Sequence, residues 1–306
     1  MSEALRVVGE LTIDDVAIED ENIDWKQPGG GALYAAAGAA MWHPDVALHS
    51  AVGQDYPESF LEQIVDVGID VTSVQRVPGM NSVGLWLLYE AGGFRRQIAK
   101  RSGSIFEDLD RVRSAAVGAA QPRGVHIAPQ SSIGQELALA QLADVDCVRT
   151  MDILLEPEID KSVYLDGHLF ASLNAFMPSL QEVAELWAHQ DAAKLAAWLR
   201  SVGSDAVTVL KRGAEGTDVV DGGSTYRVAT VVRELVDPTG AGDAFCGGFL
   251  AGYVATGEPV EAALMGAVSA SFVCETRGAV QALERFSMEA AQERLTAARQ
   301  SIESVS

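Results

Sequence analysis

A chain of 306 residues can bury a full core as one large α/β domain, or as one large domain with a small attachment. Its 48% hydrophobic and 21% charged content, without a polar low-complexity tract, excludes a disordered or fibrous protein. A formal charge of −21 repels nucleic-acid phosphates and anionic membrane surfaces, so neither nucleic acid nor membrane is an expected partner.

The N-terminus, MSEALRVVGELTIDD, has no basic segment leading into an apolar core, and no run approaches the ~20 apolar residues of a bilayer span. A cytoplasmic location is expected. The cysteines, Cys147, Cys246 and Cys274, are odd in number and widely spaced, which suits neither a disulfide framework nor a zinc site. His43, His49, His126, His168 and His189 show no metal-ligand spacing and read as structural.

In chain order, residues 5–9 (LRVVG) read as a short buried strand, and the acidic alternating stretch 12–25 as exposed β structure. After Pro28-Gly29-Gly30-Gly31, the alanine-rich residues 32–42 predict a helix. A strand at 46–53 and a helix at 59–68 follow. Residues 82–101 break the alternation, because SVGLWLLYE and RRQIAKR flank Ala91-Gly92-Gly93-Phe94, the pattern of a hairpin with a glycine loop. Together with the 12–27 stretch, this hairpin is expected to form a small β-sheet lid. Its Arg95, Arg96, Lys100 and Arg101 form the one dense basic cluster, either a solvated edge or a contact for an anionic substrate group.

Alternation resumes with strands at 124–128, 147–153, 170–173 and 206–211 and helices at 134–143, 179–188 and 191–201, then a hairpin around Asp221-Gly222-Gly223. Three helical stretches, 242–257, 259–276 and 287–302, fill the last third. This order predicts a Rossmann-like three-layer αβα arrangement around a mainly parallel sheet, one domain over 1–306.

The stretch from Val236 to Phe245 (VDPTGAGDAF) carries the chemistry. Pro238 cannot continue a helix, and two glycines permit a tight loop, so a helix is expected to start at about Gly242. The N–H groups of Gly240, Ala241 and Gly242 would then converge at a positive helix end suited to phosphate oxygens. Asp243, in the first turn, could accept a hydroxyl proton beside that anion hole. A purely structural reading, a capped helix after a glycine turn, fits the same residues.

This stretch resembles the second signature of the ribokinase-like carbohydrate kinases, the PfkB family, D-T-x-G-A-G-D followed by a helix. Gly240 to Asp243 match in full, with Asp237 and Thr239 ahead of them. The resemblance implies an ATP-dependent phosphotransferase acting on a sugar hydroxyl, with Asp243 as base and the Gly240, Ala241 and Gly242 amides holding the transferred group. Gly9 followed by Asp14 resembles the family's first strand, whose Asp grips substrate hydroxyls, with Asp15 an alternative; Gly29-Gly30 resembles its di-glycine. Val52-Gly53-Gln54-Asp55 resembles its V-G-x-D segment, Lys211-x-Gly213-x-x-Gly216 its nucleotide-side turn, and Arg277-Gly278-Ala279 the segment near the adenine. With Asp237 and Thr239, Lys211, Gly213 and Gly216 are the implied cofactor residues.

Two positions depart from the pattern. Tyr34 stands where many family sugar kinases carry Asn, and Ser179 replaces the Asn of N-x-x-E while Glu182 keeps the Glu that organises Mg2+. Glu182 remains a metal candidate because Mg2+ needs few protein ligands. Tyr34, Trp25, Trp86 and Phe94 could line a substrate pocket and stack on a base, so a nucleoside kinase of the same superfamily is the first alternative; a binding protein without turnover is the second. The implied cofactors are ATP and Mg2+, with a monovalent cation left open. No G-x-x-x-x-G-K-[ST] loop exists, and no buried strand precedes Gly29-Gly30-Gly31, which argues against P-loop and dehydrogenase readings. The alternating Leu85, Leu87 and Tyr89 could pair across a homodimer or cover the chain's own cleft.

Overall fold

A computed structural model describes residues 4–18, 23–89, 95–100, 105–115, 117–155 and 161–305. The chain begins with β1 (Leu5–Val8), β2 (Thr12–Ile18) and β3 (Asp24–Gly29), then α1 (Gly31–Ala40), β4 (Val46–Gly53), α2 (Glu58–Asp66) and β5 (Ile69–Val77). β6 (Val83–Tyr89) and β7 (Arg95–Ala99) form an antiparallel pair. α3 (Ile105–Arg113), β8 (Gly124–Ile127), α4 (Ser132–Gln141), β9 (Val148–Met151), the short α5 (Ser162–Leu165) and β10 (Ala175–Phe176) follow. α6 (Leu180–Trp187) and α7 (Ala192–Ser201) lead to β11 (Val207–Lys211) and the hairpin of β12 (Thr217–Asp221) and β13 (Ser224–Val228). The chain closes with α8 (Ala241–Thr256), α9 (Pro259–Cys274), α10 (Ala279–Arg285), α11 (Met288–Gln300) and β14 (Glu303–Val305).

Ten strands make one sheet in the order β14-β13-β12-β11-β10-β9-β8-β1-β4-β5, and four make a second, β3-β2-β6-β7. From β5 to β11 all pairings in the large sheet are parallel, and the three pairings beyond β11 are antiparallel. Helices cover both faces, as parallel strands require. In β1, Val7 turns to a core shared with α1, α8 and α9, while Val8 turns to a second core shared with α4, α6 and α7. β1 is flanked by β4 and β8, the strands the chain visits in opposite directions. That reversal opens a crevice at the strands' C-terminal ends, where ligands of such sheets bind.

α1 and α8 approach closely enough that only glycine serves at their contact. A Cβ on Gly38 would lie 2.0 Å from the Ala244 carbonyl oxygen, and one on Gly247 1.7 Å from that of Ala35. This contact fixes the N-terminus of α8 over the start of α1.

Two expectations need correction, and for Leu85, Leu87 and Tyr89 the second of two open alternatives is the one observed. The 170–173 segment is not a strand: residues 168–170 make a 3-10 turn, and the sheet is joined two residues later, by β10. β2 is not exposed: Asp14 turns to the cavity between the sheets, Asp15 to Lys26 and Lys100, and Thr12, Asp14, Asp15 and Val16 are buried. Leu85, Leu87 and Tyr89 face inward, packing with Val16, Ala51 and Leu109 in a third core, so that stripe is spent within the chain. The glycine turn 91–93, with Phe94, and Arg101 lie outside the described residues. The V-G-x-D segment joins the two sheets: Asp55 Oδ1 accepts the Ser82 N–H at 2.6 Å, and a Cβ on Gly53 would be 2.2 Å from the Ser82 nitrogen.

Candidate active site

Between the two sheets lies a cavity of about 640 Å³. It is lined by Asp14, Gly30 and Tyr34, by Leu85 and Leu87 of the small sheet, by the loop from Pro238 to Asp243, and by Asp152, Glu182, Lys211 and Gly213. The order of parts along it follows from the glycines. A Cβ on Gly29 would sit 1.9 Å from Asp14 Oδ2, and one on Gly31 2.9 Å from Asp243 Oδ1, so two carboxyl groups crowd against one stretch of backbone. Beyond Asp243, a Cβ on Gly242 would come 3.5 Å from Lys211 Nζ, which pairs with Asp152.

Strand alternation separates the two candidate aspartates. Asp14 lines the cavity, whereas Asp15 accepts the Lys26 N–H at 2.9 Å and pairs with Lys100 at 2.8 Å, which hold its carboxyl below the usual range against the opposing effect of burial. Lys100 is therefore committed to Asp15 and to the Trp86 ring rather than to the cavity. Trp25 and Trp86 stack edge to face on each other, and neither lines the cavity. Tyr34 does line it, with its ring against Gly240, whose φ of 72° and absent Cβ make the contact feasible: a Cβ there would be 2.1 Å from Tyr34 Cγ. Burial, then Asp237 and Asp14, push the Tyr34 hydroxyl up and keep it neutral.

α8 begins at Ala241, with Gly240 as its N-cap and Asp243 in its first turn. The Ala241 N–H donates to the Pro238 carbonyl at 3.2 Å, closing the turn that presents Gly242 at the helix end. Pro238 stands at the Thr position of the D-T-x-G-A-G-D pattern, and Thr239 falls one residue later. Asp237 lies outside the cavity and shapes the loop, accepting from the Thr239 N–H at 2.8 Å and hydroxyl at 2.6 Å. Thr239 Oγ1 also meets the Tyr89 hydroxyl at 2.6 Å, tying the loop to the small sheet.

At the far end, Ser179 and Glu182 form a capping box on α6: the Ser179 N–H donates to Glu182 Oε2 at 2.5 Å, and the Glu182 N–H to Ser179 Oγ at 3.3 Å. Serine and asparagine cap equally well, which accounts for the departure at Ser179. Burial raises the Glu182 carboxyl to about 7, with Asp152 adding to the shift. Gly216 is remote from the cavity; its φ of 90° admits the close pass of the Val228 carbonyl, 2.1 Å from where a Cβ would be. Arg277 and Gly278 line a separate cavity of about 330 Å³ beside Asp237, where Arg277 pairs with Asp24 at 2.6 Å.

The model of the pfkB family carbohydrate kinases matches residues 3–285. The chain belongs to that family. It is 29% identical over 267 residues to a cytidine kinase of Thermococcus kodakarensis, covering 84% of this chain and 90% of the relative. It is 27% identical over 274 residues to a 2-dehydro-3-deoxygluconokinase of Thermoproteus tenax, covering 84% and 82%. A crystal structure of a ribokinase II type protein from E. coli with ATP and Mg2+ superposes with a TM-score of 0.77 at 18% identity, covering 97% of this chain and 100% of the other. This PfkB protein is thus an ATP-dependent kinase of a sugar or sugar-like substrate, with an alcohol group as acceptor. Among the described residues no helix is long and apolar enough to cross a membrane.

Two cavity residues escaped the sequence reading. Asp152 follows β9 and pairs with Lys211, and Glu10 follows Gly9 at the end of β1. The available signal was their place at the C-terminal ends of parallel strands, where α/β sheets collect ligand contacts.

Proposed function

We propose that Asp243 takes the proton of the attacking hydroxyl, while the Gly240 and Gly242 amides stabilise the transferred phosphoryl group; the Ala241 amide, expected to share in this, is held by the Pro238 carbonyl. Asp14, Gly29, Gly30 and Tyr34 form the acceptor end. Lys211, Gly213 and Thr239 face the phosphates of ATP from the other. The observation that carries this reading is the pinch at Gly31, which seats Asp243 between Asp14 on one side and the open helix end on the other. Reaction by positioning and charge stabilisation suits phosphoryl transfer, in which the protein contributes little covalent chemistry.

ATP with Mg2+ fits the far end. Glu182 and Asp152 face the same space as Lys211, a donor set adequate for an ion that keeps several of its waters. When bound, Mg2+ would neutralise charge on the phosphates. The Tyr89 to Thr239 bond makes the small sheet a lid whose closure is coupled to the anion-binding loop, excluding water from the transfer. A homodimer through this sheet would have to use its outer face, where Trp25 and Ile98 are exposed.

The test is Mg2+-dependent ADP release against D-ribose, cytidine, D-gluconate and fructose 6-phosphate, with Asp243→Asn alongside and in both potassium and sodium buffers. Turnover on one acceptor, lost in the variant, supports the reading; equal activity in both proteins overturns it. A second reading, a nucleoside acceptor, is favoured by the near full-length likeness to the cytidine kinase. In that case cytidine would outrun free ribose.

A further inference from the structure

Tyr89 does not line the cavity, yet it is bound to the loop that carries Gly240 and Asp243. Leu85, Leu87 and Tyr89 share one face of β6, as strand alternation dictates. The two leucines meet the cavity, whereas Tyr89, buried beside it, reaches past it to Thr239.

The protons along this contact have one consistent arrangement. Thr239 gives both of its donors, the N–H at 2.8 Å and the hydroxyl at 2.6 Å, to Asp237 Oδ1. A carboxylate has no proton to return. The Thr239 hydroxyl is therefore an acceptor toward Tyr89, and the phenol donates to it at 2.6 Å. The result is a directed chain from Tyr89 through Thr239 to Asp237, and all three residues are buried. A chain that ends on a charged acceptor is stronger than a neutral one, because each bond polarises the next. Asp237 is anchored in turn: its N–H and that of Val236 donate to the Cys274 carbonyl at the end of α9, at 3.1 and 2.8 Å.

Gly240 follows Thr239 directly, with a φ of 72° and the Tyr34 ring against it. Its carbonyl accepts the Ala244 N–H at 2.8 Å, which closes the first turn of α8. The backbone that presents Gly240, Gly242 and Asp243 is thus held by Tyr34 of α1, by Cys274 of α9 and by Tyr89 of the small sheet. Resting on the kinase reading above, we propose that Tyr89 is a positioning residue for phosphoryl transfer: its hydroxyl touches neither substrate but fixes Thr239, and through it the Gly240 peptide, in register with Asp243. Stabilisation by that loop matures only as the phosphoryl group moves, so loss of the hydroxyl is felt in kcat more than in KM.

The experiment is steady-state kinetics of wild type, Tyr89→Phe, Thr239→Val, Thr239→Ser and the double variant Tyr89→Phe/Thr239→Val, on Mg2+-ATP and the acceptor identified by the panel, with a melting temperature for each. Tyr89→Phe deletes one oxygen and keeps the ring in the third core. Its kcat should fall about tenfold while both KM values stay within about twofold. Thr239→Val removes the hydroxyl that joins Tyr89 to Asp237 and should cost about 10²-fold in kcat. Thr239→Ser, which keeps that hydroxyl, should recover most of the loss. In the double variant the Tyr89 change should add almost nothing, because the chain is already cut at its centre. If Thr239→Val does not fold, Tyr89→Phe decides the matter alone. A purely structural hydroxyl would lower the melting temperature and spare kcat, and a substrate contact would raise a KM. Either result, or losses that multiply in the double variant, would overturn the assignment while the kinase reading stands. Absence of any Asp243-dependent turnover would remove both.

Discussion

The two halves of the cavity are built by different means. Around Gly240 to Asp243 the backbone shapes the cavity: a left-handed N-cap, the start of α8, and glycines at positions where a methyl group would strike Tyr34 or Asp243. At the end proposed for ATP side chains shape it, with Lys211, Asp152 and Glu182 arriving from three elements and compensating one another's charge. The first half depends on the absence of atoms, and one added carbon should disable it without unfolding the protein. The second depends on charge balance, and removing one partner should destabilise the fold.

Three substitutions test that contrast. The largest effect is expected from Asp243→Asn, which removes the proposed base and should cost about 10²–10⁴-fold in kcat, with the melting temperature little changed. Next, Lys211→Met leaves Asp152 buried without its cation and should lower stability by about 3–5 kcal/mol in a denaturant titration. Adding Asp152→Asn should restore a large part of that loss. A single variant as stable as wild type would show that the charges do not hold this end together. Third, Gly31→Ala puts a carbon 2.9 Å from Asp243 Oδ1 at a position where a helix accepts alanine readily. A displacement of that carboxylate should cost about 10²-fold in kcat with stability nearly unchanged. If stability falls instead and kcat holds, the close contact is packing rather than positioning of the base.

The same contrast explains what could be read from sequence. β4, β11, the alternation of strands and helices, and the start of α8 to within one residue were legible because buried runs, Pro238 and the glycines dictate local conformation. So was the tight turn ahead of α8, since few residues but glycine allow the backbone of Gly240. The two-residue β10 was missed because its pairing with β9 and β11, not its own composition, makes it a strand. β2 was misjudged because its acidic residues signal exposure, yet they are buried by sheet pairing and by partners such as Lys100, which lies 85 residues beyond Asp15. Lys211 stood out through its turn, but Asp152 and the pairing of the two, 59 residues apart, gave no local pattern at all. Residues that act alone through the backbone are visible in a sequence; residues that act in pairs across the fold are not.

Glu182 belongs to both halves of the contrast, being a helix cap and a half-buried carboxyl. Its folded-state pKa, raised to about 7 from 4.5 by burial, makes its stabilising contribution greatest at low pH and lost as pH rises to about 7. The stability of wild type relative to Glu182→Gln should therefore decline across that window and level off above it, as melting temperatures would show; a flat difference would mean the carboxyl is solvated. Its partner in the capping box gives the smallest effect. Ser179→Ala removes the side chain that accepts the Glu182 N–H and should cost about 1 kcal/mol, whereas Ser179→Asn should stay within a few tenths of a kcal/mol of wild type. Equal stability of serine and asparagine here would mean that the departure from N-x-x-E preserves the cap. If Ser179→Asn also lowered the KM for ATP while stability held, position 179 would contribute a contact to the nucleotide end that the serine does not make.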